Sequence, residues 1–442
     1  MMKGNSAARL SRRGFLTTTA GALLACGMPA WVRAQGVAPK GNKLRMACIG
    51  VGGQGLNNVR NVAGEEIVAL CDVDFIRGGG AFHQFPNAVR YRDYRQMFDE
   101  MADQIDAVVV STPDHTHFPA AMRALEAGKP IYVEKPLTRT IGEARLLKEA
   151  ARKAGVVTQM GNQGHTNEGT RLVKEWIDAG AIGTVTEVHA WTNRPSWPQG
   201  IDLPAIEKPP LTLDWNLWLG TAPWDDYRRN VLPFNWRGYW NYGSGALGDM
   251  GCHLLDAPFW VMDLRGSVKI SAESEGGNKV AAPKWSIINF EYPARGGCPP
   301  LKMTWYDGGK KPPRPPELEA EKELPGGGTI YRGDRGVILV TGDYSDSPRL
   351  IPETAMKEFK RPEKTIPRVH GGPHKEWINA IKGNGPAPGS NIVEHSADLT
   401  EFVLLGNLAI IAGQPIEWDA EKLEVKGMPE LNSFIHPSHR IF

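Results

Sequence analysis

Three glycines and one acid are spaced to hold a dinucleotide. The apolar run LRMACIG, ending at Gly50, passes straight into VGGQG, and a second apolar run, IVALCDVD, ends in acid. Gly50, Gly52 and Gly55 fill the three places of G-x-G-x-x-G, and Asp72 follows Gly50 by 22 residues. The first glycine permits a tight strand-to-helix turn, the second lets backbone approach a pyrophosphate, and the third lets helix and strand pack closely. Gly53 and Gln54 lie in the same turn and join the expected cradle, where free N–H groups and the helix dipole favour the diphosphate. An acid at this offset suits a ribose 2′-hydroxyl and would repel a 2′-phosphate, so the expected cofactor is NAD rather than NADP. A glycine turn without ligand is the alternative; strand before, helix after and acid in register argue against it.

Two further segments carry groups that could move protons. Glu134-Lys135-Pro136 ends an apolar strand, at the sheet edge where a nicotinamide would lie. In GALGDMGCHLLD, Asp249 and His253 stand four residues apart and share one helix face. The alternatives are a satisfied core histidine and a lysine snorkelling at the surface. His115 and His117 form an H-x-H pair, but no third ligand lies within sequence reach, so helix capping rather than metal binding is expected.

Alternating strands and helices position these groups through the first third of the chain. Strands are expected at Leu44–Ile49, Ile67–Cys71, Ala88–Tyr91, Ile105–Thr112, PIYVEKP and VVTQMG. Helices are expected at Leu56–Ala63, after Asp93, at FPAAMRALEAG and at Ile141–Ala154. Thr140 and Glu143 make a capping box for the last of these, and Gly155 ends it. The fold class is α/β: a doubly wound parallel (Rossmann) sheet, which binds ligands at its strands' carboxyl ends. Past Gly161 a helix from Glu168 to Ala179 precedes the strands VTEVHAWTN, VKISAESE, KWSIINFEY, LKMTWYD and GVILVTG, an α+β domain with a mostly antiparallel open sheet. One long helix from about Ala246 to Met262 interrupts them. Helices near Pro373–Ile381 and Glu394–Ala412 complete the chain. The Pro-rich stretch 293–325 reads as an exposed loop.

With 442 residues the chain exceeds one small core, and a formal charge of +2 offers no basic stripe for nucleic acid. Five scattered cysteines show no zinc spacing; Cys48 and Cys71 end neighbouring strands and are expected as buried thiols. Residues 1–34 read as an export signal. Arg12 and Arg13 precede an apolar run from Phe15 to Cys26, too short for a permanent span, and Val32-Arg33-Ala34 offers a cleavage point. Leu24-Ala25-Cys26 also resembles a lipid-attachment site. The division expected is therefore 1–34 signal, 35–160 nucleotide domain and 161–442 second domain, with a periplasmic or otherwise exported mature protein that has no membrane span.

Glu134-Lys135-Pro136, the D-x-x-x-H of Asp249 and His253, and a nucleotide domain followed by an antiparallel sheet together resemble the Gfo/Idh/MocA oxidoreductases. The resemblance covers essentially the whole mature chain. It implies a catalytic Lys135, Asp249 and His253: His253 as general base for a sugar hydroxyl, Lys135 bonding the reacting oxygen, and Asp249 orienting the ring or the substrate. STPDHTHF resembles the family's T-P-x-x-x-H, which implies that Thr112, Pro113 and His117, like Glu134 and Lys135, serve the cofactor. A homo-oligomer is implied too. Seven of the 14 tryptophans fall between Trp191 and Trp240, and indole faces stack on sugars. Trp191, Asn193, Arg194, Trp236, Arg237 and Tyr239 are therefore candidates for substrate contact, with Asn162, His165 and His374 from other loops. Trp215 and Trp218, at helical spacing, are expected in the core. The expected activity is oxidation of a sugar, cyclitol or glycoside hydroxyl. The alternatives are an NAD-dependent glycosidase that oxidises transiently, and a non-catalytic sugar sensor.

Overall fold

The structure, a computed structural model, describes residues 41–296 and 298–442. The export signal and Cys26 lie outside the described residues. Six parallel strands form the first sheet: β1 (Arg45–Ile49), β2 (Glu66–Cys71), β3 (Val89–Tyr91), β4 (Ala107–Val110), β5 (Ile131–Val133) and β6 (Thr158–Met160). Their order is β3-β2-β1-β4-β5-β6, so the chain reverses direction between β1 and β4. That switch point opens a crevice at the strands' carboxyl ends. Strand β4 is buried on both faces, as its unbroken apolar run requires. Cys48 and Cys71 are buried and free.

Helix α1 (Gln54–Asn61) starts inside the glycine turn, two residues before the expected Leu56. Helix α2 (Asp114–Glu126) follows β4, and α3 (Ile141–Ala154) carries the expected reciprocal Thr140–Glu143 box and left-handed Gly155. Helix α4 (Glu168–Asp178) leads into the second sheet. This holds β7 (Val185–Trp191), β8 (Val268–Glu275), β9 (Trp285–Tyr292), β10 (Leu301–Tyr306), β11 (Gly328–Gly333), β12 (Val337–Thr341), β13 (Ser347–Ile351), β14 (Ile416–Asp419) and β15 (Glu424–Val425). Only β7 and β10 pair in parallel.

Two expectations need correction here, and two strands went unread, for physical reasons. The long helix from Ala246 to Met262 is two helices, α5 (Gly245–Leu254) and α6 (Asp256–Met262), because Pro258 cannot donate to the carbonyl of Leu254. The 293–325 stretch is loop on either side of a strand, and part of it is anchored in the core. It contains β10, and its Leu318 and Leu324 are buried against Trp191, Tyr306 and Ile330. Arg332 and Arg349 tie it down through Glu317 and Glu319. Strands β11 and β13 escape sequence reading because a glycine run opens one and Pro348 interrupts the other's pattern.

Two late helices, α7 (Gly372–Ile381) and α8 (Ala397–Ala412), bind the halves together. Trp377, Ile378 and Ile381 of α7 pack against Leu44 and Met46, so the chain returns to the nucleotide sheet. Lys148 of α3 pairs with Asp398 of α8 at 2.6 Å.

The glycine turn leaves no room for side chains. A Cβ on Gly55 would stand 1.8 Å from the Gly50 oxygen. Gly55→Ala is therefore expected to destabilise the protein by about 1–3 kcal/mol, the range for overpacking a filled site. Urea unfolding checks this; an unchanged midpoint would show that helix and strand separate easily.

Candidate functional site

A cavity of about 1250 Å³ opens where the carboxyl ends of the first sheet face α5 and the 192–244 segment. Gly50, Gly52, Gly53, Gln54, Asp72, Thr112, Pro113, Glu134 and Lys135 line it from the nucleotide side, as expected. Gly50 and Gly53 have φ of 76° and 57°, which side-chain-bearing residues seldom adopt. A Cβ on Gly53 would lie 2.5 Å from the Arg77 guanidinium, so a cation overhangs the cradle. Asp72 directly follows β2 and accepts from the N–H of Val51 at 2.9 Å, Gly52 at 3.2 Å and Asp74 at 3.0 Å. Burial outweighs these bonds and raises its pKa to about 6. A glycine cradle, a helix N-terminus and an acid at the end of β2 fit NAD.

At the other end, Glu134 and Lys135 leave β5 side by side. Asn58 of α1 donates to Glu134 Oε1 at 2.9 Å and to Ser111 Oγ at 2.8 Å, and His374 of α7 meets Asn58 Oδ1 at 3.1 Å. Lys135 Nζ crosses to α5, donating to Asp249 Oδ1 at 2.8 Å and to the Asp249 carbonyl at 2.9 Å. Arg237 Nε donates to the same Oδ1 at 3.1 Å, its guanidinium 4.3 Å from the Trp236 ring centroid. Burial opposes both charges of the pair. The attraction between them nevertheless holds Asp249 down at about 2 and Lys135 above its usual value.

His253 lines the cavity one turn along α5. Burial, then the Lys135 charge, lower its pKa to about 3, so the ring is neutral. Its Nδ1 is buried without a partner among the described residues. Asp114 opens α2 from the opposite wall; Ser244, which precedes α5, donates to its Oδ2 at 2.6 Å. Burial raises Asp114 to about 7 against the charges of Arg237 and Lys135.

The remaining expected residues divide. Arg194, Trp236 and Arg237 line the cavity. Gly55 lies beneath the turn and serves packing rather than the cofactor. His117 is buried between the carbonyls of Thr112 and Pro136, at 2.7 and 2.8 Å, and braces the loops that the cofactor would touch. His115 likewise meets the carbonyls of Tyr242 and Trp218, so the H-x-H pair is no ligand pair. Trp191 is fully buried on β7 and donates to the Pro325 carbonyl at 2.9 Å. Tyr239 belongs to a small apolar core with Trp215 and Trp218. Asn162 is buried beneath Ser390, and Asn193 is exposed beside Gly326. His165, expected on an exposed loop, is buried. Asp256 accepts from its Nδ1 at 3.0 Å and from His395 Nε2 at 2.6 Å. These three groups lie within 4.8 Å of one another as a carboxylate hydrogen-bonded between two imidazoles. His374 is buried too, yet it reaches the cavity. Arg77, Asn58 and Asp114 carried no motif that marked them, although Asp114 lies inside STPDHTHF.

Residues 44–162 match the family described as "Oxidoreductase family, NAD-binding Rossmann fold", and 169–303 match its "C-terminal alpha/beta domain". Together they span more than half the chain, which belongs to the Gfo/Idh/MocA oxidoreductase family, with an NAD-binding Rossmann domain. An inositol 2-dehydrogenase from Saccharopolyspora erythraea is 34% identical over 152 residues, 33% of this chain and 44% of that protein. One from Salmonella paratyphi B is 30% identical over 33% of this chain and 45% of its own. The chain thus spans less than half the length of the curated relatives it matches. Among solved structures, the WlbA dehydrogenase from Bordetella pertussis, in complex with NADH and UDP-GlcNAcA, shares the fold at TM-score 0.61 and 18% identity. The match covers 85% of this chain and 99% of that one.

Asp114, protonated below about pH 7 and ionised above it, should set the pH dependence of turnover. Its ionisation adds a negative charge that offsets Lys135, the cation that holds His253 down, so NADH formation should rise with pH through about 7. In Asp114→Asn, with NAD saturating, the inflection near 7 should be lost, leaving only what Asp72, near 6, contributes. Stopped-flow NADH absorbance checks this, and an inflection that survives the substitution belongs to another group.

Proposed function

We propose that the protein is an exported NAD-dependent oxidoreductase acting on a hydroxyl of a sugar, cyclitol or glycoside. The observation that carries this reading is Lys135 paired with Asp249, with neutral His253 one turn further on, in the cavity that begins at the glycine cradle. Bound NAD supplies the hydride acceptor. His253 takes the proton from the hydroxyl oxygen as hydride leaves the carbon that bears it, and a neutral ring is the form that can do so. Lys135 donates to the reacting oxygen and stabilises its developing negative charge. Asp249, shared between Lys135 and Arg237, keeps both cations aimed at the cavity. Asp249 offsets one of these two cations, and Trp197, Trp218 and Trp236 share the lining, so the walls suit a polyol with a C–H face.

A second reading, glycoside cleavage by transient oxidation, elimination and re-reduction, draws on Asp114. Elimination needs a proton acceptor besides His253, and Asp114 is a carboxyl of the same cavity that forms no ion pair with Lys135 or Arg237. Incubating the protein with sugars, cyclitols and aryl glycosides, following NADH absorbance and released aglycone together, tests both. Absence of nicotinamide reduction by every polyol would reject the first reading.

His253→Ala should leave fold and NAD binding intact while slowing single-turnover hydride transfer about 10²–10⁴-fold. Lys135→Ala should slow it as well. Unchanged transfer in His253→Ala would make the Asp249–His253 face structural.

Export rests on Arg12 and Arg13 ahead of the apolar run. Replacing both with lysine should leave the precursor in the cytoplasm, as cell fractionation would show; normal export of that variant would end the localisation proposal.

A further inference from the structure

The 192–244 segment reaches back across the cavity to the nucleotide domain. It carries its own apolar core, built on Leu213, Trp215, Trp218, Leu219 and Val231. From that base, residues 203–232 fold over the loop that follows Asp72. Asp214 N–H donates to the Val73 carbonyl at 2.9 Å, Phe75 N–H donates to Thr212 at 3.4 Å, and Asp74 and Leu213 form an antiparallel bridge. Arg92, just after β3, fastens both sides: its Nη1 donates to the Val73 carbonyl at 3.1 Å and the Thr212 carbonyl at 2.8 Å. The segment's far side is held by Arg440, which donates to Asn216 Oδ1 at 2.6 Å and to its carbonyl at 2.9 Å.

This contact lies at one end of the cofactor site. In a doubly wound sheet the acid ending the second strand takes the adenosine ribose, so the residues after Asp72 flank adenosine. Pro210, Leu213 and Tyr227 from the segment line the same cavity as Ile76, Arg77 and Arg92. Adenosine placed there has the nucleotide domain on one side and the segment on the other.

We infer that residues 203–232 form a strap that closes over the adenosine half of NAD and retains it through turnover, with Arg92 as the positioning residue that latches it. The inference rests on NAD being the cofactor and is independent of the substrate. A cofactor that does not leave must be returned to its starting redox state in place, either by the same substrate later in the cycle or by a second one.

Bound nucleotide provides the readout. After gel filtration and denaturation, the full chain should release about one NAD per polypeptide, and exchange against excess ADP-ribose should be slow. Arg92→Ala should speed release at least about tenfold, the change that roughly 1.4 kcal/mol represents, with unchanged circular dichroism, and Arg92→Lys should restore part of the retention. A reversible lock avoids dependence on that variant's folding. Bridge partners lie within disulfide range, so Asp74→Cys with Leu213→Cys, in a Cys298→Ser background, should slow NAD exchange further when oxidised and return it towards the parent rate on reduction. Release equally fast in the oxidised, reduced and parent proteins overturns the strap. A parent that binds no NAD at all overturns the cofactor reading instead.

Discussion

The site depends on one buried ion pair that crosses between the two halves of the molecule. Lys135 follows β5 in the nucleotide sheet and Asp249 lies on α5 in the second domain, each about 15% exposed. Such a pair adds little net stability, because desolvation consumes most of the Coulomb energy, but removing one partner from it costs about 3–5 kcal/mol. Its value here is geometric. It sets the distance between the sheet edge and α5, and therefore between the nicotinamide end of the crevice and His253. Arg237 makes the same carboxylate serve two cations, so Asp249 has few positions in which both bonds survive.

The rest of the wall is arranged to keep that edge of the sheet still. Glu134, beside Lys135, is tied through Asn58 to the first turns of α1, and His374 closes the chain of bonds from α7. His374 stacks on Tyr132 of β5 at 4.2 Å, so a helix more than 200 residues downstream bears on the strand that presents Lys135. The return of α7 under the nucleotide sheet is thus part of how the site is built. Behind α5, the helix break before Asp256 frees a carboxylate that His165 and His395 both reach, which anchors the far end of the helix carrying His253.

What could be read in the sequence follows the range of the physics involved. The glycine turn, the capping box of α3 and the alternation of buried strands are local, so spacing alone disclosed them, and the resemblance added Lys135, Asp249 and His253. The failures are long-range. Trp191 and Trp236 look alike in a tryptophan-rich stretch; one is packed on β7 beneath a Pro-rich cover, the other lines the cavity, and only the sheet decides which. Asn162 and His165 read as loop candidates for substrate contact, but their partners, Ser390 and Asp256, come from remote segments that enclose them. Arg77 and Arg92 escaped because neither sits in a motif; their role arises where the 192–244 segment crosses back.

The charges in the cavity also constrain how a proton can be handled. A cation beside His253 suppresses its protonation, which keeps the ring ready to accept, yet the same field opposes the imidazolium that results. In the proposed reaction Lys135 cannot be removed to relieve this, since there it stabilises the oxygen that gives up the proton. Relief has to come from negative charge already in the wall. Asp249 is committed to its two cations, whereas Asp114 has one oxygen on Ser244 and a pKa near 7. A carboxyl that ionises near neutral pH can follow the charge of the cavity as the proton moves, and Ser244 couples it directly to the start of α5. The helix that holds His253, the proposed base, is thereby in contact, through the residue just before it, with a carboxyl that can add negative charge to the same cavity.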